Sequence, residues 1–313
     1  MSVALGVRFA PLLACAWLSA VAFAADGAAA FDSASISGLG IRNIGSAAMS
    51  GRIAALTGNV EPDGKLSLYV GTASGGVWRS FDGGTTFKPV FDRQPVQSIG
   101  AIALDPSRAN VVWVGTGEAW TRNSTSIGDG IYKSLDKGDT WTRMGLVDSE
   151  RIAKIIVHPI NGDVIYACVP GKLWSDSAER GLYKTMDGGT SWTLILKGDN
   201  LSTGCSSIAM DPKDPERIFA ALWDFRRKGW TFRSGGESPD AASGSGLFVT
   251  DDGGKSWRNL DAATVKGLPP KPWGRLAIAT APSDSKRGYV VIESGRTALF
   301  VPADGAATFE ERD

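Results

Sequence analysis

Residues 185–192 read Thr-Met-Asp-Gly-Gly-Thr-Ser-Trp, "TMDGGTSW", an aspartate set between a hydroxyl residue and a tryptophan. The same order of residue types recurs in "VWRSFDGGTTF" (77–87), "IYKSLDKGDTW" (131–141), "LYKTMDGGTSW" (182–192), "LFVTDDGGKSW" (247–257) and "LFVPADGAATF" (299–309). The aspartates are Asp82, Asp136, Asp187, Asp252 and Asp304, spaced 54, 51, 65 and 52 residues apart. The last copy is worn, with Pro302 at the hydroxyl position and Ala306 at a glycine position. Between boxes, short apolar runs end in a proline turn, as in "IGAIALDP" (99–106), "AKIIVHP" (153–159), "SSIAMDP" (206–212) and "LAIATAP" (276–282). A second run follows each of them: "VVWVGTG", "VIYACVP", "RIFAALW" and "GYVVIES". The unit is therefore strand A, proline turn, strand B, variable loop, strand C, box and strand D. Four short antiparallel strands at such a period predict an all-β fold, a β-propeller with about five blades present.

The box has a physical reason. The C–D hairpin must reverse within a few residues, and glycine supplies positive φ there cheaply. The aspartate can accept N–H groups of its own turn, and the hydroxyl two residues earlier adds a local bond. The closing aromatic (Phe87, Trp141, Trp192, Trp257, Phe309) starts strand D with a ring to bury. A carboxylate that recurs in every unit is a turn residue, not a catalyst.

The chain holds 313 residues, with Lys+Arg and Asp+Glu equal at 33 each. No strong field draws it to nucleic acid or to an acidic membrane surface. Residues 1–24 read as a signal peptide: Arg8, an apolar run from Phe9 to Phe23, and small residues at Ala22 and Ala24. Residues 25–37 are a leader, and 38–313 form the propeller, with truncation at its C-terminus an open alternative. Export to the periplasm or the outside is expected, with no transmembrane segment after signal removal; lipid anchoring at Cys15 is the weaker alternative. Cys168 and Cys205 stay open as a disulfide or two buried thiols. No cofactor motif and no metal set is present. His158, the sole histidine, falls in the proline-turn column with Asp105 and Asp211, which removes Ser-His-Asp chemistry.

The pattern Ser/Thr-x-Asp-x-Gly-x-Thr/Ser-Trp resembles the Asp-box, or BNR, repeat of sialidases, two-propeller xyloglucanases and the sortilin ectodomain. "GLGIRNIGSAAMSGRIAAL", "YVGTASGGVW" and "WDFRRKGWTFRSGG" resemble an exported sortilin-like bacterial group often labelled glycosyl hydrolases. The resemblance implies a propeller larger than the five units here; a five-bladed ring closed by a strand near Gly40–Gly45 is the alternative. It also lets two enzyme readings be weighed. All five tyrosines sit in repeat columns, which leaves no spare sialidase-type nucleophile. Where the xyloglucanases carry a catalytic aspartate before their first Gly-Gly, this chain has Thr72-Ala-Ser-Gly-Gly76, with no carboxylate.

Strand alternation puts proline turns and boxes on one rim and the variable loops 115–130, 169–181 and 222–246 on the other. Those loops gather Glu118, Trp120 and Arg122 with Trp223, Asp224, Arg226, Arg227 and Trp230, while Arg52 opens a strand A beside them. Aromatic and guanidinium groups on loops above a rigid scaffold suit peptide, protein or glycan recognition. The expectation is a binding scaffold, with ligand contacts from Arg52, Trp120, Arg122, Trp223, Arg226, Arg227 and Trp230. One alternative is a glycoside hydrolase acting on polysaccharide, with Glu118 and Asp224 as weak acid/base candidates. Another is an assembly factor for exported proteins.

Overall fold

A computed structural model describes residues 52–235, 242–303 and 306–312. The signal, leader and lipid-anchor expectations, and the fifth box aspartate Asp304, lie outside those residues. Among the described residues every regular element is a strand apart from one 3-10 turn, Val147–Ser149. Blade 1 comprises β1 (Ile53–Val60), β2 (Leu66–Thr72), β3 (Val77–Ser80) and β4 (Lys88–Pro89). Blade 2 comprises β5 (Ile99–Leu104), β6 (Val112–Thr116), β7 (Ile131–Ser134) and β8 (Thr142–Arg143). Blade 3 comprises β9 (Lys154–Val157), β10 (Ile165–Val169), β11 (Gly181–Thr185) and β12 (Thr193–Leu196). Blade 4 comprises β13 (Thr203–Met210), β14 (Ile218–Lys228), β16 (Gly246–Thr250) and β17 (Arg258–Leu260), with β15 (Thr231–Ser234) added to β14. Blade 5 comprises β18 (Leu276–Ala281), β19 (Asp284–Ile292), β20 (Ala298–Ala303) and β21 (Thr308–Arg312). Each sheet is antiparallel and ordered as the chain runs. The last strand is a five-residue strand in register from Leu299↔Arg312 to Ala303↔Thr308.

The first strands line up side by side, β1 on β5, β5 on β9, β9 on β13 and β13 on β18, so they are the inner strands. No packing of comparable extent joins β18 to β1 among the described residues. Four apolar clusters fill the four joints between successive blades, so the core is a series of slabs rather than one centre.

The box contributes to the joints between blades. In the third box, Asp187 Oδ1 accepts the Thr185 hydroxyl at 2.7 Å and Ser191 N–H at 2.9 Å, while Oδ2 accepts the Ser191 hydroxyl at 2.5 Å. Thr185 Oγ1 accepts Gly189 N–H at 3.0 Å. Asp82, Asp136 and Asp252 repeat this set. The box ring then reaches back to the preceding blade: Trp141 Nε1–H donates to Val90 O at 2.8 Å, and Trp192 Nε1–H to Met144 O at 2.7 Å. The mid-strand-B aromatic reaches forward, since Tyr69 donates to Lys137 O at 3.0 Å and Tyr166 to Gly253 O at 3.1 Å. Trp113 lies against Gly189, where a Cβ would approach its ring to 2.7 Å. Only glycine lets that indole in. Among the described residues, the outer two blades each show one such partner fewer. Phe87 of blade 1 is 39% exposed and Tyr289 of blade 5 is 38% exposed, whereas Tyr69 and Tyr166 are buried.

Boxes and A–B turns share a rim. Lys137 N–H donates to Asn110 O, Gly188 N–H to Asp163 O and Gly253 N–H to Glu216 O. The open question about the cysteines resolves as a disulfide, Cys168–Cys205, joining β10 of blade 3 to β13 of blade 4.

Candidate functional site

Opposite the boxes, three loops from different blades close over one another. The first, residues 117–128, leaves β6 at Gly117, whose φ of 83° and closeness to Glu150 O leave no room for a Cβ. Its return is fixed by Gly128 N–H donating to Glu150 O at 2.8 Å. The second, residues 170–180, is folded around Arg180. That buried guanidinium donates to Pro170 O at 2.7 Å and to Lys172 O, and lies 4.4 Å over the Phe225 ring. The third is read from sequence as a loop, yet much of it is ribbon: β14 runs on to Lys228 and turns at Gly229 (φ 50°) into β15.

Arg227 ties the three together. Its Nε–H donates to Thr121 O at 2.7 Å, and its backbone N–H donates to Leu173 O at 3.1 Å. Each tied loop presents an exposed indole: Trp120 at 49%, Trp174 at 47% and Trp230 at 94%. Trp223 is instead buried, packed on Phe225 and Phe232. Arg275 sits between indoles, 5.3 Å from the Trp120 ring centre and 5.0 Å from that of Trp223. The structure therefore brings Trp120, Arg227 and Trp230 onto linked loops. Arg122 is exposed beside Trp120, and Arg226 pairs with Asp176.

The two carboxylate candidates are held in separate networks. Glu118 is buried, pairs with Arg52 and receives none of the Asp224 contacts. Asp224 is buried and accepts from Ser202 Oγ at 2.7 Å, Asn200 Nδ2 at 3.1 Å, Gly244 N–H at 3.1 Å and Arg233 at 3.0 Å. Burial alone would raise the Asp224 carboxyl, but the Ser202 and Gly244 bonds with the Arg233 charge hold it below its ordinary value. Such a group stays ionised at neutral pH and is a poor proton donor. Arg180 escaped the sequence reading, because a lone arginine before strand C carries no pattern that marks it as the loop's anchor.

Residues 75–227 match the Sortilin-Vps10 family model, described as sortilin, neurotensin receptor 3. The chain is 24% identical over 251 residues to an oligoxyloglucan-reducing end-specific xyloglucanase of Emericella nidulans, covering 69% of this chain and 28% of that protein. It is 25% identical over 277 residues to a xyloglucanase of Paenibacillus sp, covering 74% and 24%. The chain thus spans less than a third of the length of these curated relatives. Among solved structures, the Niastella koreensis GH74 enzyme superposes with a TM-score of 0.58 at 19% identity, over 82% of this chain and 38% of that one. The GH74 xyloglucanase of Xanthomonas campestris gives 0.59 at 18%, over 83% and 38%. At these identities the two structures speak for the fold. No helix among the described residues is long and apolar enough to cross a membrane. With five four-stranded blades, recurrent box hairpins and these relatives, the chain is a sortilin-like β-propeller of the BNR type.

Proposed function

We propose that this propeller acts on polysaccharide, binding glycan across its loop rim in the service of glycoside hydrolysis. Relatives named xyloglucanases move the weight from a scaffold for peptide, protein or glycan, as expected from sequence, to the glycoside-hydrolase alternative and a carbohydrate ligand. The observation that carries the reading is Arg227, which links three loops that each hold up an exposed tryptophan. Indoles fixed on rigid loops offer flat apolar faces to sugar rings at little ordering cost. The Cys168–Cys205 disulfide supports an oxidising, exported setting.

The test is direct. Reducing-sugar release from soluble polysaccharides should rise above a heat-denatured control, and glycan binding should weaken at least about fivefold in Trp120→Ala or Trp230→Ala, on the order of 1 kcal/mol per contact tryptophan. Unchanged binding in both variants would sink the reading. A second reading, binding without hydrolysis, is favoured by Asp224, whose oxygens are taken up by Ser202, Asn200, Gly244 and Arg233 and which is not poised to give up a proton to a leaving group. Tryptophan-dependent binding with no sugar release would select it.

A further inference from the structure

The inner joints between blades are made of two matched halves. The forward face of one blade offers its mid-strand-B aromatic, and the back face of the next offers the box hairpin that receives it. Tyr69 donates to Lys137 O and Tyr166 to Gly253 O, in both cases the carbonyl just after the box aspartate. Trp113 takes the same place against Gly189. A strand-C cation caps that carbonyl too: Arg79 on Lys137 O, Lys133 on Gly188 O and Lys184 on Gly253 O. Around the hairpin, the back face of blade 2 presents Ile102, Val114 and Tyr132 as one cross-strand row beside the box ring Trp141, all in the slab against blade 1.

Blade 5 repeats the forward half. Ala279 stands beside Tyr289, and Ala277 beside Val291, which in turn stands beside Leu299. Both alanines are exposed, and so are Tyr289 and Val291, whereas Tyr166 and Cys168 at the same places in blade 3 are buried. Val301 stands where blade 3 has Lys184, so this face is apolar throughout except for the Tyr289 hydroxyl.

Blade 1 repeats the back half. Leu56, Val70 and Trp78 form its cross-strand row, as Ile102, Val114 and Tyr132 do in blade 2. Leu56 is 64% exposed where Ile102 is 9% exposed. A Cβ placed at Gly84 would first meet Leu68 and Phe87 of its own blade, whereas one at Gly138 would also meet Tyr69 and Val90 of the preceding blade. The chain thus holds both halves of one joint on its outer faces, and β18 and β1 do not pack together to an extent like that of the inner joints among the described residues. Exposed apolar faces of this kind mark association sites. Two different faces that fit each other give a heterologous, head-to-tail contact between copies.

We propose that the forward face of blade 5 docks on the back face of blade 1 of a second copy. Tyr289 lies over the second copy's Gly84, and its hydroxyl donates to the second copy's Gly83 O. The contact goes beyond the glycan reading and does not depend on it. At high dilution the single molecule keeps both faces open.

Sedimentation equilibrium of the full chain over about 1–100 µM tests it, the range in which an interface of modest size declares itself. The average mass should climb from one copy to two or more. It should hold in high salt, because apolar area and not charge carries the contact. Leu56→Glu spoils the blade 1 face and Val291→Glu the blade 5 face, both at exposed positions, so circular dichroism should match the parent. Each variant alone should remain a single copy. Mixed together they restore one junction, and should give a two-copy species and nothing larger. Tyr289→Phe keeps the ring, removes the hydroxyl, and should weaken association about fivefold. A parent chain that stays single throughout would overturn the proposal, as would a charge variant that associates like the parent. A mixture that fails to pair would overturn the head-to-tail geometry, and unchanged association in Tyr289→Phe would overturn the hydroxyl contact.

Discussion

Thr185, rather than Asp187, is the buried member of the box: its hydroxyl lies in the sheet and links the aspartate to Gly189 N–H, while the carboxylate faces solvent. Replacing Thr185 by Val keeps the shape and removes both bonds, so thermal or urea unfolding should show a loss of about 1–2 kcal/mol. The carboxylates leave a signature in acid. Hydrogen bonds from Thr86 hold Asp82 at about 2, and Asp136 lies at about 2 because the Thr140 bonds outweigh the upward push of burial. Both sit below the ordinary 3.8, so the unfolded chain takes up protons first. The stability they lend is complete above pH of about 4 and drains away as pH falls through about 2. An acid titration followed by tryptophan fluorescence should therefore show a midpoint in that window. In Asp82→Asn/Asp136→Asn the protein should be weaker at neutral pH and flatter in its pH response; a curve parallel to the parent's would contradict this account. The aspartates were legible as turn residues from repetition alone. Their hydroxyl partners were legible too, because the turn fixes sequence neighbours against one another.

At the scale of elements, legibility tracked how local the cause is. Each blade could be read off because strands A to D and their turns are set by alternation, proline and glycine within a few residues. The β14–β15 ribbon was missed, since the Arg226-Arg-Lys228 run breaks the alternation that Trp223 and Phe225 begin and their burial comes from Leu173 and Arg180, far away in the chain. The buried state of Trp223 was missed for the same reason. The disulfide could not be decided from sequence because it depends on how two blades meet. Cys168–Cys205 closes a separation of 37 residues across the joint of blades 3 and 4. By the loop-entropy account, Cys168→Ala/Cys205→Ala should cost about 3–4 kcal/mol in chemical denaturation. Equal denaturation midpoints with and without reductant would mean the bond adds nothing to the joint.

Across the whole molecule, stability is a chain of nearest-neighbour terms, since each apolar slab lies between two successive blades. Blade 3 is gripped on both sides, whereas Leu56 of blade 1 and Tyr289 with Val291 of blade 5 are exposed. Amide hydrogen exchange should grade accordingly, slowest in β10 and fastest in β1 and β21, through openings that start at the outer blades. Uniform protection across all five sheets would instead mean that the blades open as one unit. The back-reaching indoles carry a consequence for biosynthesis. Trp141 caps Val90 O and Trp192 caps Met144 O, each about 50 residues downstream of the strand it secures. At a synthesis rate of about 5–20 residues per second, a blade leaving the ribosome waits several seconds for the tryptophan that latches it. Blades 1 and 2 are thus provisional on the growing chain, each locked only when the next box hairpin arrives.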